Sequence, residues 1–484
     1  MKKILLILTL ISTMLVSCES WLDVNDDPNV PTAVTTELVL PAAQASIAVQ
    51  VGGLLFNTGG FYAQYWSQAP EANQYNNLDK FDVKTDFMDN VYTELYAGAL
   101  NDLKYILTAA EEEEDWGNYL AATVLRAYTY QLLVDLFDKV PYTEALQGTE
   151  VLNPVFDDGK VVYDGITSEI NDALSKVTGT EMVATTDMLL GADIDEWIGF
   201  ANALKLKIFM RQSETSENHQ AEVKALIAEN NFMTMDVMFA SFADEQNKRN
   251  PWYDTDVDRL GGINHVATRN IISFLATNAD PRIDIMWKKA TKNDEFNGNF
   301  PAGKTIPGIK NEDFSFPNVS PTQPIYLYTM SELYLFIAEA ELRYNNDATA
   351  AKVAYEAAID ANLALHGIST PGADLYGTGK PYEFDGTHKQ IMMQKWASLA
   401  LVNNIEAWFE TKRTEYPVIS GATASQIMDN PTLYTPGDRI RPYENNLGDG
   451  KWLNRFYYPD AAVSTNENTP SQPNLTDKVW WDQN

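Results

Sequence analysis

The stretch IYLYTMSELYLFIAEAELRYNNDATAAKVAYEAAIDANLALH (residues 325–366) decides the fold class, because two apolar-rich runs flank a polar turn. The turn is Asn345-Asn346-Asp347, and short polar side chains of this kind favour turns. The stretch therefore predicts two helices, over residues 325–344 and 349–366, that fold back on each other. Small side chains on both runs allow the helices to approach closely. They are the alanines at positions 338, 340, 350, 351, 354, 357, 358 and 361.

Helical patterns also occur elsewhere in the chain. Residues 119–138 place apolar side chains three or four positions apart, with Arg126 and Asp135 off that stripe and Pro141 just beyond. The pairs at 119–177 and 325–366 resemble tetratricopeptide geometry, in which a helix pair repeats about every 34 residues and stacks on its neighbours. Neither pair meets the full repeat consensus, so an ordinary helical bundle is the alternative. Further helices are predicted over residues 163–177, 194–214, 221–229 and 387–413.

Long stretches with few regular signals separate the helices. They are rich in aromatic residues as well as Asn, Gly and Pro, and the aromatic content argues against disorder. The sequence therefore predicts a mostly α-helical scaffold that carries a large, ordered, loop-rich part facing a ligand. The predicted loop stretches are residues 67–86, 231–264, 290–323, 367–386 and 417–484.

The N-terminus has the order of a secretory signal peptide, with Lys2 and Lys3 before an apolar run. That run is too short for the ~20 residues that a membrane helix needs. It ends in Leu15-Val16-Ser17-Cys18, which resembles the bacterial lipobox. The resemblance implies a signal peptide over residues 1–17, a single mature domain over 18–484, and covalent diacylglycerol and N-acyl lipid on Cys18. Several acyl chains suffice for stable anchoring. A buried free cysteine is the alternative.

Composition narrows the possible partners. Cys18 is the only cysteine, so no disulfide can stabilise the mature chain. The formal charge is 35 − 67 = −32, which argues against nucleic acid and anionic lipid as partners, because phosphate contacts need clustered Lys and Arg. Beyond the leader we identify no second apolar run approaching the length of a membrane helix.

Catalytic and metal motifs give only false leads. The four histidines form no HExxH motif and GxSxG does not occur, so no catalytic residue and no metal ligand is predicted. Residues 298–305 (GNFPAGKT) match the phosphate-binding loop, but a polar stretch precedes them and Pro307 interrupts any following helix. Asp254-x-Asp256-x-Asp258 is calcium-like, but Arg259 stands where the turn glycine of an EF-hand belongs. A looser ion site stays open.

Several segments, in order, resemble the SusD/RagB-like outer-membrane nutrient-binding lipoproteins, particularly the SusD-like branch with a lipid anchor. The resemblance extends from Cys18 to the Trp480-Trp481 tail. The matching segments are CESWLD (18–23), NDDPNVPT (25–32), DKVPY (138–142) with EA (144–145), WIGFANALKLKIFMR (197–211), YTMSELYLFIAEA (328–340), QKW (394–396), EAWFETKR (406–413) and YP (416–417).

The resemblance implies a function as well as a fold. Such proteins have tetratricopeptide-like helix pairs under a loop-rich half. They sit at the surface of a Gram-negative cell as a lid over a TonB-dependent SusC-like transporter. Their ligand is an oligosaccharide or a peptide, which they bind without a catalytic step and without a cofactor. The acidic residues after Cys18 resemble the surface-export signal of such lipoproteins.

Candidate ligand-binding residues follow from the chemistry of sugars. A sugar has apolar C–H faces and a hydroxyl rim, so its site needs flat aromatic rings flanked by polar side chains. The alternative for the first cluster is helix packing and that for the second is loop packing. The candidates are Tyr62, Tyr65, Trp66, Tyr75 and Asn76 in the first cluster, and Arg249, Trp252 and Tyr253 in the second.

Two other functional classes stay open at this point. One is a surface glycoside hydrolase, which would use a pair of Asp or Glu carboxylates. The other is a structural lipoprotein whose repeat-like helices bind a protein partner.

Overall fold

A computed structural model describes residues 35–484, so the predicted signal peptide and Cys18 lie outside the described residues. The described chain is mostly α-helical, as predicted. The α-helices are α1 (Thr36–Gln50), α2 (Phe56–Tyr62), α3 (Asn76–Asp79), α4 (Asp89–Thr93), α5 (Asn101–Glu112), α6 (Trp116–Phe137), α7 (Gly159–Lys176), α8 (Ile194–Arg211), α9 (Gln220–Glu229), α10 (Arg269–Thr277), α11 (Arg282–Met286), α12 (Met330–Ala340), α13 (Ala348–Leu365), α14 (Ala373–Tyr376), α15 (His388–Leu399), α16 (Asn404–Thr414), α17 (Ala424–Asp429) and α18 (Asp460–Thr465).

Short strands link distant parts of the loop regions. They form four two-stranded antiparallel sheets in the described chain, pairing β1 with β5, β2 with β3, β4 with β8, and β6 with β7. The strands are β1 (Trp66–Gln68), β2 (Val140–Pro141), β3 (Phe156–Asp157), β4 (Val237–Phe239), β5 (His265–Ala267), β6 (Trp287–Lys288), β7 (Phe316–Pro317) and β8 (Ile325–Tyr328).

The helical scaffold is a series of neighbouring helix pairs. Helix α5 packs on α6, α6 on α7, and α7 on α8; α8 also contacts α9 and α12. Helix α12 packs on α13 and α15, and α15 packs on α16. The predicted helix pairs therefore appear as α6 with α7 and α12 with α13. Helix α6 is buried around nearly its whole circumference, and Asp135 is fully buried with it.

The first helix is continuous from Thr36 to Tyr62 and carries a π-helical turn over Val51–Leu55. Gly53 has non-helical backbone angles, φ −104° and ψ −110°, which kink the helix. By its length and mean hydropathy (1.6), this helix could cross a membrane. The prediction that no second apolar run approaches the length of a membrane helix is therefore wrong. Half of its most apolar window is buried, and it packs on α5 and α6.

Two predicted helices have different boundaries. Residues 325–328 form β8, which pairs with β4, and α12 begins only after Thr329, whose side chain accepts the N–H of Glu332. The single helix predicted over residues 387–413 is divided into α15 and α16. Leu401 has a left-handed φ of +57°, and the Asn403 side chain caps the second helix.

A network of buried ion pairs joins the scaffold helices. Four cations contact five carboxylates, and all nine side chains are at most 5% exposed. Most of these residues belong to the segments that carry the family resemblance, so those segments form the core of the scaffold. The cations are Lys207, Arg211, Lys395 and Arg413; the carboxylates are Asp135, Glu332, Glu339, Glu406 and Glu410.

Candidate ligand-binding site

A cavity of about 760 Å³ opens between the first helix and residues 241–259. We call it the main cavity. The end of α1 and the π-helical turn form one wall, with Asn57 of α2 beside them. The loop 241–249 and the turn that follows it form the other wall, and Tyr75 and Asn90 also line the cavity. Its volume lies in the range of ~300–1,000 Å³ that is usual for small-molecule sites.

Asn250 holds the turn that forms the second wall. Its Oδ1 accepts the N–H groups of Trp252 (3.0 Å) and Tyr253 (3.2 Å), and its Nδ2 donates to the carbonyl of Gln323 (2.9 Å). Pro251 occupies the first helical position, where its missing N–H leaves no bond unmade. A π-helical turn over Tyr253–Arg259 follows. Trp252 is thereby directed inward and is only 3% exposed.

Aromatic rings form the floor beneath this turn. Trp252 stacks on Trp66 with ring centroids 5.4 Å apart and 22° between the planes, and Phe56 meets Trp252 edge-on at 6.0 Å. His265 lies 5.2 Å from Trp252 and 5.0 Å from Tyr75. Such contacts stabilise aromatic pairs beyond simple area burial. Ring packing therefore fixes the turn against the helical scaffold.

Asn57 leaves an unused hydrogen-bond donor at the cavity wall. Its Oδ1 accepts from Trp252 Nε1 (3.2 Å) and lies 2.6 Å from His265 Nε2. Burial lowers the pKa of His265 to about 3, so the ring is neutral and can donate through Nε2. Asn57 Nδ2 has no partner among the described residues. Through its oxygen, Asn57 ties Trp252 and His265 to the first helix.

Asp256 and Tyr75 form a second polar group of the main cavity. The Tyr75 hydroxyl donates to Asp256 Oδ1 at 2.5 Å. Burial raises the pKa of Asp256 to about 7, against the lowering effect of this hydrogen bond. Burial and the Asp256 charge together raise the pKa of Tyr75, so its hydroxyl stays protonated. The pair presents a carboxyl group that titrates near neutral pH.

Ion pairs surround the opening. Arg249 contacts Asp244 at 2.7 Å and Asp258 at 2.9 Å, and Asp254 pairs with Arg259 at 2.9 Å. These groups are exposed or partly exposed, so they provide hydrogen-bonding partners at modest desolvation cost. The main cavity thus combines an aromatic floor with donors and acceptors at its rim.

Five of the predicted ligand-binding residues lie at cavities, and four of them lie at the main cavity or beside it. Tyr75, Arg249 and Trp252 line the main cavity. Tyr253 lines a smaller adjoining cavity of about 140 Å³, and Trp252 and Asp256 border both. Asn76 begins α3 and lines neither of these two cavities.

Tyr65 and Trp66 are fully buried, so their rings do not offer accessible stacking surfaces, whereas Tyr62 is 3% exposed and borders a separate cavity of about 300 Å³. Tyr62 packs against Trp408 and Phe456, and the Tyr65 hydroxyl donates to the carbonyl of Trp396. Trp66 supports Trp252 from below and is fully buried. Packing, the alternative interpretation, describes Tyr65 and Trp66.

Sequence reasoning missed the contribution of the first helix and of Asn57. Asn57 and Trp252 are 195 positions apart, and no local pattern links them. The calcium-like aspartates lie in the segment that forms the second wall of the main cavity. Asp254, Asp256 and Asp258 each have a protein partner, and no cluster of three or more His, Cys, Asp or Glu side chains within residues 35–484 is arranged to hold a metal ion.

Residues 298–305, which match the phosphate-binding loop in sequence, do not have the structure of that loop. Residues Gly303–Thr305 form one short 3-10 turn, and no α-helix follows before α12. Lys304 Nζ donates to the carbonyl of Pro70 at 2.9 Å. The segment therefore has no helix N-terminus on which phosphate could rest.

Comparisons with known proteins identify the family. The family profile named SusD-like, described as starch-binding and associating with the outer membrane, matches residues 28–435. This chain belongs to the SusD-like family. No curated protein matches the sequence.

Solved structures of SusD homologues share the fold along almost the whole chain. A chitin-binding protein has a TM-score of 0.73 at 20% identity, covering 92% of this chain and 100% of its own. A chitin-binding SusD homologue from Flavobacterium johnsoniae has a TM-score of 0.72 at 18% identity, covering 93% and 97%. A SusD homologue from Bacteroides uniformis gives 0.71 at 18%, covering 92% and 99%. These similarities confirm the predicted fold class.

Proposed function

We propose that this SusD-like chain binds an oligosaccharide in the main cavity without transforming it. The lining of the main cavity carries this proposal, because it combines the partly exposed ring of Tyr75 with charged groups at the rim. The C–H face of a sugar would pack against Tyr75 while the rim groups of Arg249 and Asp254 bind its hydroxyls. The starch-binding description of the family and the chitin-binding relatives support a glycan as ligand.

Binding isotherms test this proposal with two neighbouring residues. Purified protein is titrated with maltohexaose, chitohexaose and a mixed oligopeptide. Tyr75→Ala removes a ring of the cavity and is expected to weaken glycan binding about tenfold, the effect of losing one good aromatic contact with its hydroxyl. Asn76→Ala is the control, because Asn76 does not line the cavity. Equal binding by both variants, or binding of the peptide alone, would refute the proposed site.

The proposal excludes a chemical step. Asp254 and Asp256 both line the cavity, so the alternative function, a glycoside hydrolase, would have a pair of carboxylates available. We expect no release of reducing ends from either hexasaccharide over hours. Release that disappears in Asp256→Asn would replace the binding function with a glycoside hydrolase.

The mature protein is proposed to be tethered through lipid on Cys18 and to pass its ligand to a TonB-dependent SusC-like transporter. The lipobox resemblance and the family's association with the outer membrane support this arrangement. Labelled palmitate should enter the wild type but not Cys18→Ser, and protease added to intact cells should digest the wild type. Co-purification with a barrel protein of the outer membrane would support the transporter partner. If no barrel protein co-purifies in mild detergent, the result would contradict the transporter partner but not the lipid tether.

A further inference from the structure

A second cavity, of about 300 Å³, lies between α16, the segment 450–454 and the chain's C-terminal tail. We call it the basic cavity. It shares no lining residue with the main cavity. Its volume is at the lower end of the range usual for small-molecule sites, large enough for one monosaccharide-sized ligand.

Arg439 brings a buried charge to this cavity. It is only 8% exposed, and its Nε donates to the carbonyl of Pro417 at 2.7 Å. Its guanidinium lies 5.2 Å above the ring of Trp452, and no carboxylate lies within 4.0 Å of it among residues 35–484. Burial lowers the pKa of Arg439 to about 10, although Glu415 and Asp482 oppose the shift. Within residues 35–484, its two terminal nitrogens donate no hydrogen bond.

Lys412 is the second buried cation. Unlike the four cations of the scaffold's ion network, it has no carboxylate within 4.0 Å in the described part of the chain. Its Nζ donates to the carbonyls of Asn454 (2.9 Å) and Asp135 (3.4 Å) and lies 4.1 Å from the Trp408 ring centroid. Burial lowers the pKa of Lys412 to about 7, although Asp482 and Asp135 oppose the shift. A buried cation without an anionic partner is costly, so an anion in the cavity would stabilise it.

The surroundings keep the cavity basic. Lys451 and Lys478 also line it, opposed by the carboxylates of Glu415 and Asp482. Asp482 is shared with Lys478 at 3.7 Å, and Glu415 is exposed. Four basic side chains therefore face two acidic side chains and the last residue, Asn484, in a protein whose net charge is −32. General surface acidity does not account for this reversal of sign.

Aromatic rings supply the remaining walls. Tyr62, Trp408 and Trp452 line the cavity, and Trp452 is half-buried. Rings of this kind contact the apolar C–H face of a sugar, whereas guanidinium binds a carboxylate through two parallel hydrogen bonds. We propose that the basic cavity binds a carboxylate-bearing monosaccharide unit, a hexuronate, with its carboxylate on Arg439 and Lys412 and its ring against the aromatic walls.

Calorimetric titration at pH 6 tests this assignment with three probes: glucuronate, glucose and inorganic phosphate. Glucuronate should bind at least about tenfold more tightly than glucose, as expected for one charge-assisted contact. Arg439→Gln should weaken glucuronate binding by at least the same factor. Lys352→Gln, which removes a cation from the exposed face of α13, is the matched control and should bind glucuronate like the wild type.

Circular dichroism checks that Arg439→Gln is folded, because that residue also bonds Pro417. Trp452→Leu provides an independent test on the half-buried wall and should weaken glucuronate binding about three- to tenfold, the usual value of one aromatic contact. Equal binding of glucose and glucuronate, or wild-type affinity in both cavity variants, would overturn the proposal. Phosphate binding as tightly as glucuronate would also overturn it, because a simple anion would then suffice.

Discussion

Replacing Arg413 with leucine should expose the energetic role of the buried ion network. Arg413 contacts both oxygens of Glu339 at 2.7 and 2.6 Å, Glu410 at 2.6 and 3.0 Å, and Ser213 at 2.8 Å. After Arg413→Leu, Glu410 keeps Lys395 and Arg211. Glu339 is then left with one weaker contact, to a half-buried arginine at 3.5 Å.

The free energy of unfolding of Arg413→Leu should fall by the cost of one buried carboxylate that has lost its main partner. Breaking a buried pair by removing one partner costs about 3–5 kcal/mol, whereas partly exposed pairs contribute roughly 0–1 kcal/mol. Arg343→Leu is the matched control, since Arg343 contacts the same Glu339 from a position that is 25% exposed. Urea unfolding monitored by circular dichroism measures both variants, and the control should lose about 1 kcal/mol or less.

The loss in Arg413→Leu should also depend on pH. In the wild type, burial opposes ionisation of Glu339, but Arg413 outweighs it and holds the pKa of Glu339 below its usual range. In the variant, burial dominates and this pKa rises above that of the unfolded chain. The folded variant then binds a proton more readily than the unfolded chain. The difference in free energy of unfolding between wild type and variant should therefore shrink from pH 8 to pH 5. A loss under ~1 kcal/mol at pH 8, or an equal loss at both pH values, would refute this reasoning.

Three further predictions concern single side chains. Burial raises the pKa of Asp256 to about 7, above that of an unfolded aspartate, so ionisation destabilises the fold progressively between pH ~4 and 7; Asp256→Asn should melt higher than wild type at pH 8 and by a smaller margin at pH 5. Gly199→Ala would place its Cβ 2.3 Å from a backbone nitrogen and should cost ~1–3 kcal/mol in urea, whereas Gly421→Ala meets no atom within 4 Å and should cost less than half of that. Tyr65→Phe loses a buried hydrogen bond worth ~1 kcal/mol, but Tyr62→Phe removes a hydroxyl that has no partner among residues 35–484 and should not destabilise the fold; the reverse order of melting temperatures would contradict the assigned bonds.

The sequence predicted the helix pairs well, because their packing follows local periodicity. The sequence did not predict that Asp135 is buried, because a periodic apolar stripe implies that the opposite face of the helix is exposed to solvent. In the structure α6 is covered on nearly all sides, and Arg211 contacts the Asp135 carboxylate at 3.4 Å. The strand at 325–328 exists only because β4, some 90 residues earlier, pairs with it. Long-range partners of this kind leave no trace in a local pattern.

The candidate site was predictable in part. The stretch around Arg249 and Trp252 combines aromatic, proline and polar residues, and the structure places both of these residues at the main cavity. The neighbouring cluster at 62–66 has the same composition but lies in the core. Composition alone does not distinguish a ring that meets a ligand from one that supports it, because that depends on which residues cover it.

The two anchors of the turn at 250–259 have a practical consequence for altering specificity. Asn250 and Trp252 bond this segment to Gln323 and Asn57. In the part of the chain that the structure describes, the charged rim residues between 244 and 259 form ion pairs only with one another. The rim residues of this segment could therefore be exchanged together while the two anchoring residues, Asn250 and Trp252, are kept. The ion-paired scaffold beneath would not need to be rebuilt for each new ligand.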